Sequence, residues 1–257
     1  MTSDDDDTLV TDEPVSRLYA VGDIHGCIDE LDAMLEVIAP EPGDKVVFLG
    51  DYVDRGPSPK GVIDRLIELR ASGRCTTVFL RGNHEDMFLG FLGEQGRHGD
   101  VFLFNGGRAT LGSYGLPVWV SGEEARAKLP AAHLDFLRSL EFHHLVEPYL
   151  FVHAGISPLR GLEAQEEEDL LWIREEFVRN PHRLPYTVVF GHTPQREVLW
   201  HLPFKIGLDT GCVYGNKLSA IDFTSGTLLQ IERESKRVIR TDVSAGLAPL
   251  TERRPGA

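Results

Sequence analysis

The chain has 257 residues, 42% of them apolar, which is enough for a large core and excludes a protein disordered throughout. Lys and Arg number 26 against 40 Asp and Glu, a formal net charge of -14, so no basic nucleic-acid footprint exists at the level of the whole chain. The three cysteines (Cys27, Cys75, Cys212) are too few and too scattered for a disulfide framework and read as small buried hydrophobes. No apolar run approaches the ~18 residues of a membrane span, and no basic segment precedes an apolar one at the start, so a cytoplasmic chain with no membrane partner is expected.

Residues 1–14 open with Asp4, Asp5, Asp6, Asp7, Asp12 and Glu13 and no Lys or Arg, and read as a disordered acidic tail. A single domain is expected over residues 15–232. Leu18–Val21 is a short apolar strand ending at Gly22. Ile28–Ile38 has helical spacing, with Ile28, Leu31, Leu35 and Ile38 on one face, and Pro40, Pro42 and Gly43 end it. Val46–Leu49 is a continuous apolar run, as a strand covered on both faces should be. Lys60–Arg70 is again helical, and Thr76–Leu80 is a third strand ending at Gly82. Residues 90–140 read as helix and loop, with Pro130 opening a helix through Leu140. Strands return at Phe142–Val146, Tyr149–Val152, Thr187–Phe190, Leu218–Phe223 and Thr227–Glu232, the last two joined by a turn at Ser225-Gly226. Residues 233–257 read as a polar extension. Alternating strands and helices followed by a strand-rich part predict a layered α/β fold.

The chemistry lies where the strands end. The first three stop at Gly22-Asp23-Ile24-His25-Gly26, Gly50-Asp51-Tyr52-Val53-Asp54-Arg55-Gly56 and Gly82-Asn83-His84-Glu85. Two later strands end in Val152-His153-Ala154-Gly155 and Phe190-Gly191-His192-Thr193. In open α/β sheets ligands bind at the carboxyl ends of strands, so these clusters can converge. Two carboxylates, an amide oxygen and three imidazoles suit first-row transition metals better than the all-oxygen preferences of Mg²⁺ or Ca²⁺. The set exceeds what one catalytic zinc takes, so two ions bridged by one carboxylate is the economical arrangement, with Asp51 the natural bridge.

These motifs, with Asn105-Gly106-Gly107, Leu170-Leu171-Trp172-Ile173-Arg174 and Leu208-Asp209-Thr210-Gly211, resemble the PPP-type serine/threonine phosphatases of the calcineurin-like metallophosphoesterases, in their bacterial and phage branch. The resemblance runs from Arg17 to Glu232 and departs at Ala154, where many members have a second glycine. It implies two mixed β-sheets packed face to face, flanked by helices, with the site loops at strand ends. It also implies Asp23, His25 and Asp51 on one metal, and Asp51, Asn83, His153 and His192 on a second, with Mn²⁺ or an Fe/Zn pair bound. Such a pair lowers the pKa of a bound water enough to give a nucleophile at neutral pH. His84 matches the general acid, Asp54 the carboxylate orienting it, and Arg55 and Arg174 the guanidinium groups that hold phosphate beside Asn83 and His84.

The expected function is hydrolysis of phosphate monoesters on a phosphoprotein or phosphopeptide, at serine, threonine or tyrosine. The alternative is a symmetrical diadenosine tetraphosphate hydrolase, whose members often replace the residue matching Asp54, or another nucleotide phosphoesterase. A catalytically dead scaffold would have lost a ligand or the acid, and none is missing here. The competing reading of Arg174 is a surface salt-bridge residue, and Glu85 reads as support behind the ligands. The acidic run Glu166–Asp169 reads as a helix start or solvated face, and Asp209 as a possible neighbour of the site.

Overall fold

The computed structural model describes residues 16–247; the acidic tail expected over residues 1–14 and the last ten residues of the polar extension lie outside them. Eleven strands form two sheets. They are β1 (Leu18–Val21), β2 (Lys45–Phe48), β3 (Thr76–Phe79), β4 (His143–Val146), β5 (Tyr149–Val152), β6 (Thr187–Phe190), β7 (Leu199–His201), β8 (Lys205–Gly207), β9 (Lys217–Asp222), β10 (Thr227–Glu232) and β11 (Val238–Asp242). The helices are α1 (Ile28–Ile38), α2 (Pro59–Ser72), α3 (Asn83–Phe91), α4 (Gly107–Ser113), α5 (Gly122–Lys128), α6 (Ala131–Arg138), α7 (Glu167–Trp172) and α8 (Glu175–Arg179).

The first sheet runs β11-β10-β9-β1-β2-β3 and the second β4-β5-β6-β8-β7. In the first, β1, β2 and β3 are parallel, with Val21 opposite Phe48 and Phe48 opposite Phe79. In the second, β5, β6 and β8 are parallel. The parallel strands of each sheet therefore end on a common edge, and the motif loops leave from there.

Strand periodicity explains the layers. Leu18, Ala20, Val47, Leu49, Val78 and Leu80 pack with Tyr149, Phe151, Val189 and Ile206 between the sheets. The alternate residues Tyr19, Val21, Val46, Phe48 and Phe79 face the helices with Leu31, Leu66, Phe88 and Phe136. Leu150, Val152, Val188 and Phe190 close a third cluster with Leu170 and Phe177 outside the second sheet. Both faces are buried, so the runs are continuously apolar rather than alternating. Each large aliphatic side chain buried this way contributes about 1.5–3 kcal/mol. Two mixed sheets flanked by helices are thus the observed architecture.

The elements differ from expectation at the margins. Pro130 caps α6 rather than opening it. Strands β7, β8 and β11 carried no sequence signal: the first two have three residues each, and β11 is an exposed edge. The first sheet therefore continues past Glu232 into the segment read as a polar extension. The turn at Ser225-Gly226 does join β9 to β10, with Gly226 at φ 70.

Candidate metal centre

Asp23 and His25 follow β1, Asp51 follows β2, Asn83 and His84 open α3 after β3, His153 follows β5 and His192 follows β6. All seven side chains are buried. Two glycines let the strand ends approach this closely: a Cβ on Gly82 would collide with the Asp51 carboxylate, and one on Gly191 with that of Asp23. His25, Asp51, Asp54, Arg55 and His192 adopt positive φ between 45 and 69, a left-handed conformation that aims their side chains inward.

Ligand atoms of Asp51, His153 and His192 lie within 4.8 Å of one another, as do those of His25, Asp51 and His84. Asp51 belongs to both groups, as a bridging carboxylate should. Asn83 joins the first: its Oδ1 is 3.1 Å from His153 Nε2 and 3.0 Å from His192 Nδ1. Asp23 stands beside these groups rather than within them, its carboxylate accepting the His192 N–H at 3.0 Å.

The donor set fits divalent metal. The His153 Nδ1 is spent on the Leu49 carbonyl at 2.8 Å, so Nε2 presents its lone pair to Asp51 Oδ1 at 3.3 Å. Burial holds this imidazole below its ordinary pKa, and an Nε2 lone pair that close to a carboxylate favours a cation between them. His192 Nε2 is buried with no hydrogen-bond partner. Burial, with Asp209 and Asp51 nearby, pushes the Asp23 carboxyl well up, a crowding of carboxylates that a cation relieves. Burial raises Asp51 too, but His153, His84 and His25 outweigh it and hold it well below the usual carboxylate range. His25 gives Nδ1 to the Val53 carbonyl at 2.8 Å, and Arg55 meets its Nε2 at 2.6 Å.

Behind the ligands lies Glu85. Its carboxylate accepts the backbone N–H groups of Asp51, Tyr52, Val53 and Gly82 at 2.8–3.1 Å, tying the second motif to the third. Burial and the Asp51 charge push its pKa up to about 8, while these donors pull the other way.

His84 Nδ1 and Asp54 Oδ2 share a 2.6 Å hydrogen bond. Burial raises Asp54 to about 8 and lowers His84 well below its ordinary value, so the pair holds one shared proton. Thr110, absent from the sequence reading, fixes this pair: its hydroxyl donates to Asp54 Oδ1 at 2.5 Å and accepts the Asp54 N–H at 2.9 Å. The only local signal was its place three residues after Asn105-Gly106-Gly107. Arg174 is exposed between α7 and α8, at the N-cap position of α8. It is near enough to His192 to add to the burial and His153 that lower that imidazole. Asp209 is buried beside Asp23 and accepts the Gly211 N–H at 2.9 Å. The acidic run starts α7 and is ion-paired to Arg97 and Arg160. Cys27 and Cys212, unrelated in sequence, come together beside Glu30, whose carboxylate is held by Arg233 at 2.7 Å.

A model of the calcineurin-like phosphoesterase family matches residues 16–222. The chain is 26% identical over 230 residues to the asymmetrical bis(5'-nucleosyl)-tetraphosphatase PrpE of Anoxybacillus flavithermus, covering 79% of this chain and 89% of that one. It is 27% identical over 269 residues to a symmetrical bis(5'-nucleosyl)-tetraphosphatase of a Janthinobacterium strain, covering 83% and 95%. The crystal structure of a candidate diadenosine tetraphosphatase superposes with a TM-score of 0.61 at 25% identity, covering 88% of this chain and 93% of that one. These relatives are named for dinucleoside tetraphosphates, where the motifs had suggested phosphoproteins. With the fold, the buried donor set and a family match across most of its length, the chain belongs to the calcineurin-like phosphoesterases.

Proposed function

We propose that this metallophosphoesterase hydrolyses dinucleoside polyphosphates, cleaving the phosphoanhydride chain of a bis(5'-nucleosyl) tetraphosphate. The convergence of Asp51, His153 and His192, with Arg55 against the neighbouring His25, supports the phosphoesterase chemistry. The alignment with dinucleoside tetraphosphatases over most of the chain supports the substrate class.

In this reading Asp23, His25 and Asp51 hold one divalent ion, and Asp51, Asn83, His153 and His192 a second, Mn²⁺ or an Fe/Zn pair. When bound, such a pair supplies positive charge to phosphoryl oxygens and activates water. Arg55 and Arg174 hold the remaining phosphate oxygens, and Asn83 and His84 line the same space. As the new O–P bond forms and the bridging P–O bond breaks, His84 donates its Nε2 proton to the departing oxygen. The proton shared with Asp54 then settles on Nδ1, so the pair loses one proton and the imidazole stays neutral. The leaving oxygen of a nucleotide phosphate is a weaker base than a serine alkoxide, so less proton transfer is needed.

A phosphoprotein phosphatase is the second reading. One observation favours it: the 2.6 Å Asp54–His84 pair is suited to protonating a strongly basic leaving group. The test is metal-stripped protein assayed with and without Mn²⁺ on diadenosine tetraphosphate, a phosphoserine peptide and a phosphotyrosine peptide. Mn²⁺-dependent nucleotide release from the dinucleotide is expected; two ADP would indicate symmetrical cleavage and AMP plus ATP asymmetrical cleavage. Phosphate release from a peptide with the dinucleotide untouched would overturn the proposal in favour of the second reading.

A further inference from the structure

We propose that Tyr214 is the platform on which a nucleobase of the substrate stacks, with Arg55 linking that platform to the phosphate-binding centre. This rests on the dinucleoside polyphosphate reading above and names how that substrate is gripped beyond its phosphates.

Tyr214 ends a single helical turn over Cys212–Tyr214, between Gly211 at φ 68 and Gly215 at φ 92. The turn is tightly built. Tyr214 N–H donates to the Gly211 carbonyl and Gly215 N–H to the Cys212 carbonyl, both at 3.0 Å. The Asn216 amide donates to the Thr210 carbonyl at 2.6 Å and the Arg196 carbonyl at 2.8 Å. Cys212 is buried beneath, yet the Tyr214 residue is 62% exposed. A large aromatic on a rigid turn, left in water, acquires meaning from its neighbour. The Arg55 guanidinium carbon stands 5.7 Å from the Tyr214 ring centroid, and the same guanidinium reaches His25 Nε2 at 2.6 Å. One arginine therefore touches both the metal-ligand set and the exposed ring.

A nucleotide matches that arrangement. Its phosphate is the charge that Arg55 is placed to hold, and its base is a flat π-system one sugar away. Base–aromatic stacking tolerates any base, because every base has a π-face, so discrimination among nucleosides should be slight. A phosphoserine or phosphothreonine side chain offers no ring to this surface.

The experiment is calorimetric binding of ADP and inorganic pyrophosphate to Mn²⁺-loaded full-length protein, in wild type, Tyr214→Ala and Tyr214→Phe. Wild-type hydrolysis of diadenosine tetraphosphate and of a phosphoserine peptide is measured alongside. Tyr214→Ala is expected to weaken ADP about tenfold while pyrophosphate changes by less than about twofold, and Tyr214→Phe to keep ADP close to wild type. GDP should bind much as ADP does. If ADP and pyrophosphate weaken together, the ring acts only through Arg55 and the stacking role is overturned. If the dinucleotide is hydrolysed and Tyr214→Ala leaves ADP binding unchanged, the Tyr214 inference alone falls. If wild type hydrolyses the peptide and not the dinucleotide, the functional reading falls and takes this inference with it.

Discussion

The two sheets contribute to the centre on unequal terms. The first sheet holds its own half together: Glu85 collects backbone N–H groups from the second and third motifs, and Asp51 Oδ1 accepts the His84 N–H at 3.2 Å. The second sheet supplies His153 and His192, and both are oriented by atoms of the first. His153 leans on the Leu49 carbonyl, and the His192 backbone N–H on the Asp23 carboxylate. One half is a template and the other is docked onto it. Damage should therefore spread from the first sheet to the second but not back.

Glu85→Gln is the strongest way to break this comparison. An amide can accept on one side only, so two of the four backbone donors lose their acceptor, at a cost of about 3 kcal/mol in stability. Chemical denaturation and metal content should show a weaker fold and loss of both metal equivalents. Retention of one metal at wild-type affinity would mean that the second half stands alone. His192→Ala tests the reverse direction. It should remove one metal equivalent and most activity while lowering Tm less than Glu85→Gln does, since it takes away one side-chain contact, to Asn83, and no acceptor of backbone N–H groups. A large fall in Tm would refute the docked description.

Thr110→Val sharpens the comparison within the first half. Removing the hydroxyl takes one hydrogen bond from the Asp54 carboxylate and another from its backbone N–H, and should lower kcat about tenfold with metal content unchanged. The Thr110 hydrogen bond holds the Asp54 pKa down, so its loss should also move the limb of the pH–rate profile belonging to the Asp54–His84 pair. Thr110→Ser should restore both, and an unmoved profile would assign Thr110 to packing alone. The smallest effect concerns Lys205, in the second sheet and away from the centre. Burial lowers its pKa from 10.5 to about 8. Between those values the unfolded chain binds more protons than the folded one, so its contribution to stability rises with pH there, and below about pH 8 the buried charge opposes folding. Thermal denaturation across that window should rise less steeply in Lys205→Met than in wild type; parallel curves would contradict the assignment.

What could be read in advance follows the same division. Asp23, His25, Asp51, Asp54, Arg55, Asn83 and His84 sit in three contiguous motifs, each announced by the strand before it and the glycines around it. His153 and His192 were read from their place after apolar strands, but more weakly, because a lone histidine there carries little signal until the resemblance is added. Thr110 could not be read, since its partner lies 56 residues away and nothing local records that contact. Tyr214 was missed for the opposite reason: an exposed tyrosine gains meaning only when Arg55 is seen beside it. The sheets were legible wherever strands are buried on both faces, and not at the three-residue β7 and β8 or the exposed edge β11.

The left-handed backbone of His25, Asp51, Asp54, Arg55 and His192 has a consequence for evolution under heat. Holding an ordinary L-residue there costs on the order of 1 kcal/mol, somewhat less for Asp and His. Glycine would relieve it at every one of these positions, so relief of this backbone strain passes through the residues of the candidate metal centre. A variant library screened for thermal robustness alone is therefore expected to enrich glycine at these five positions and, with it, to lose metal binding.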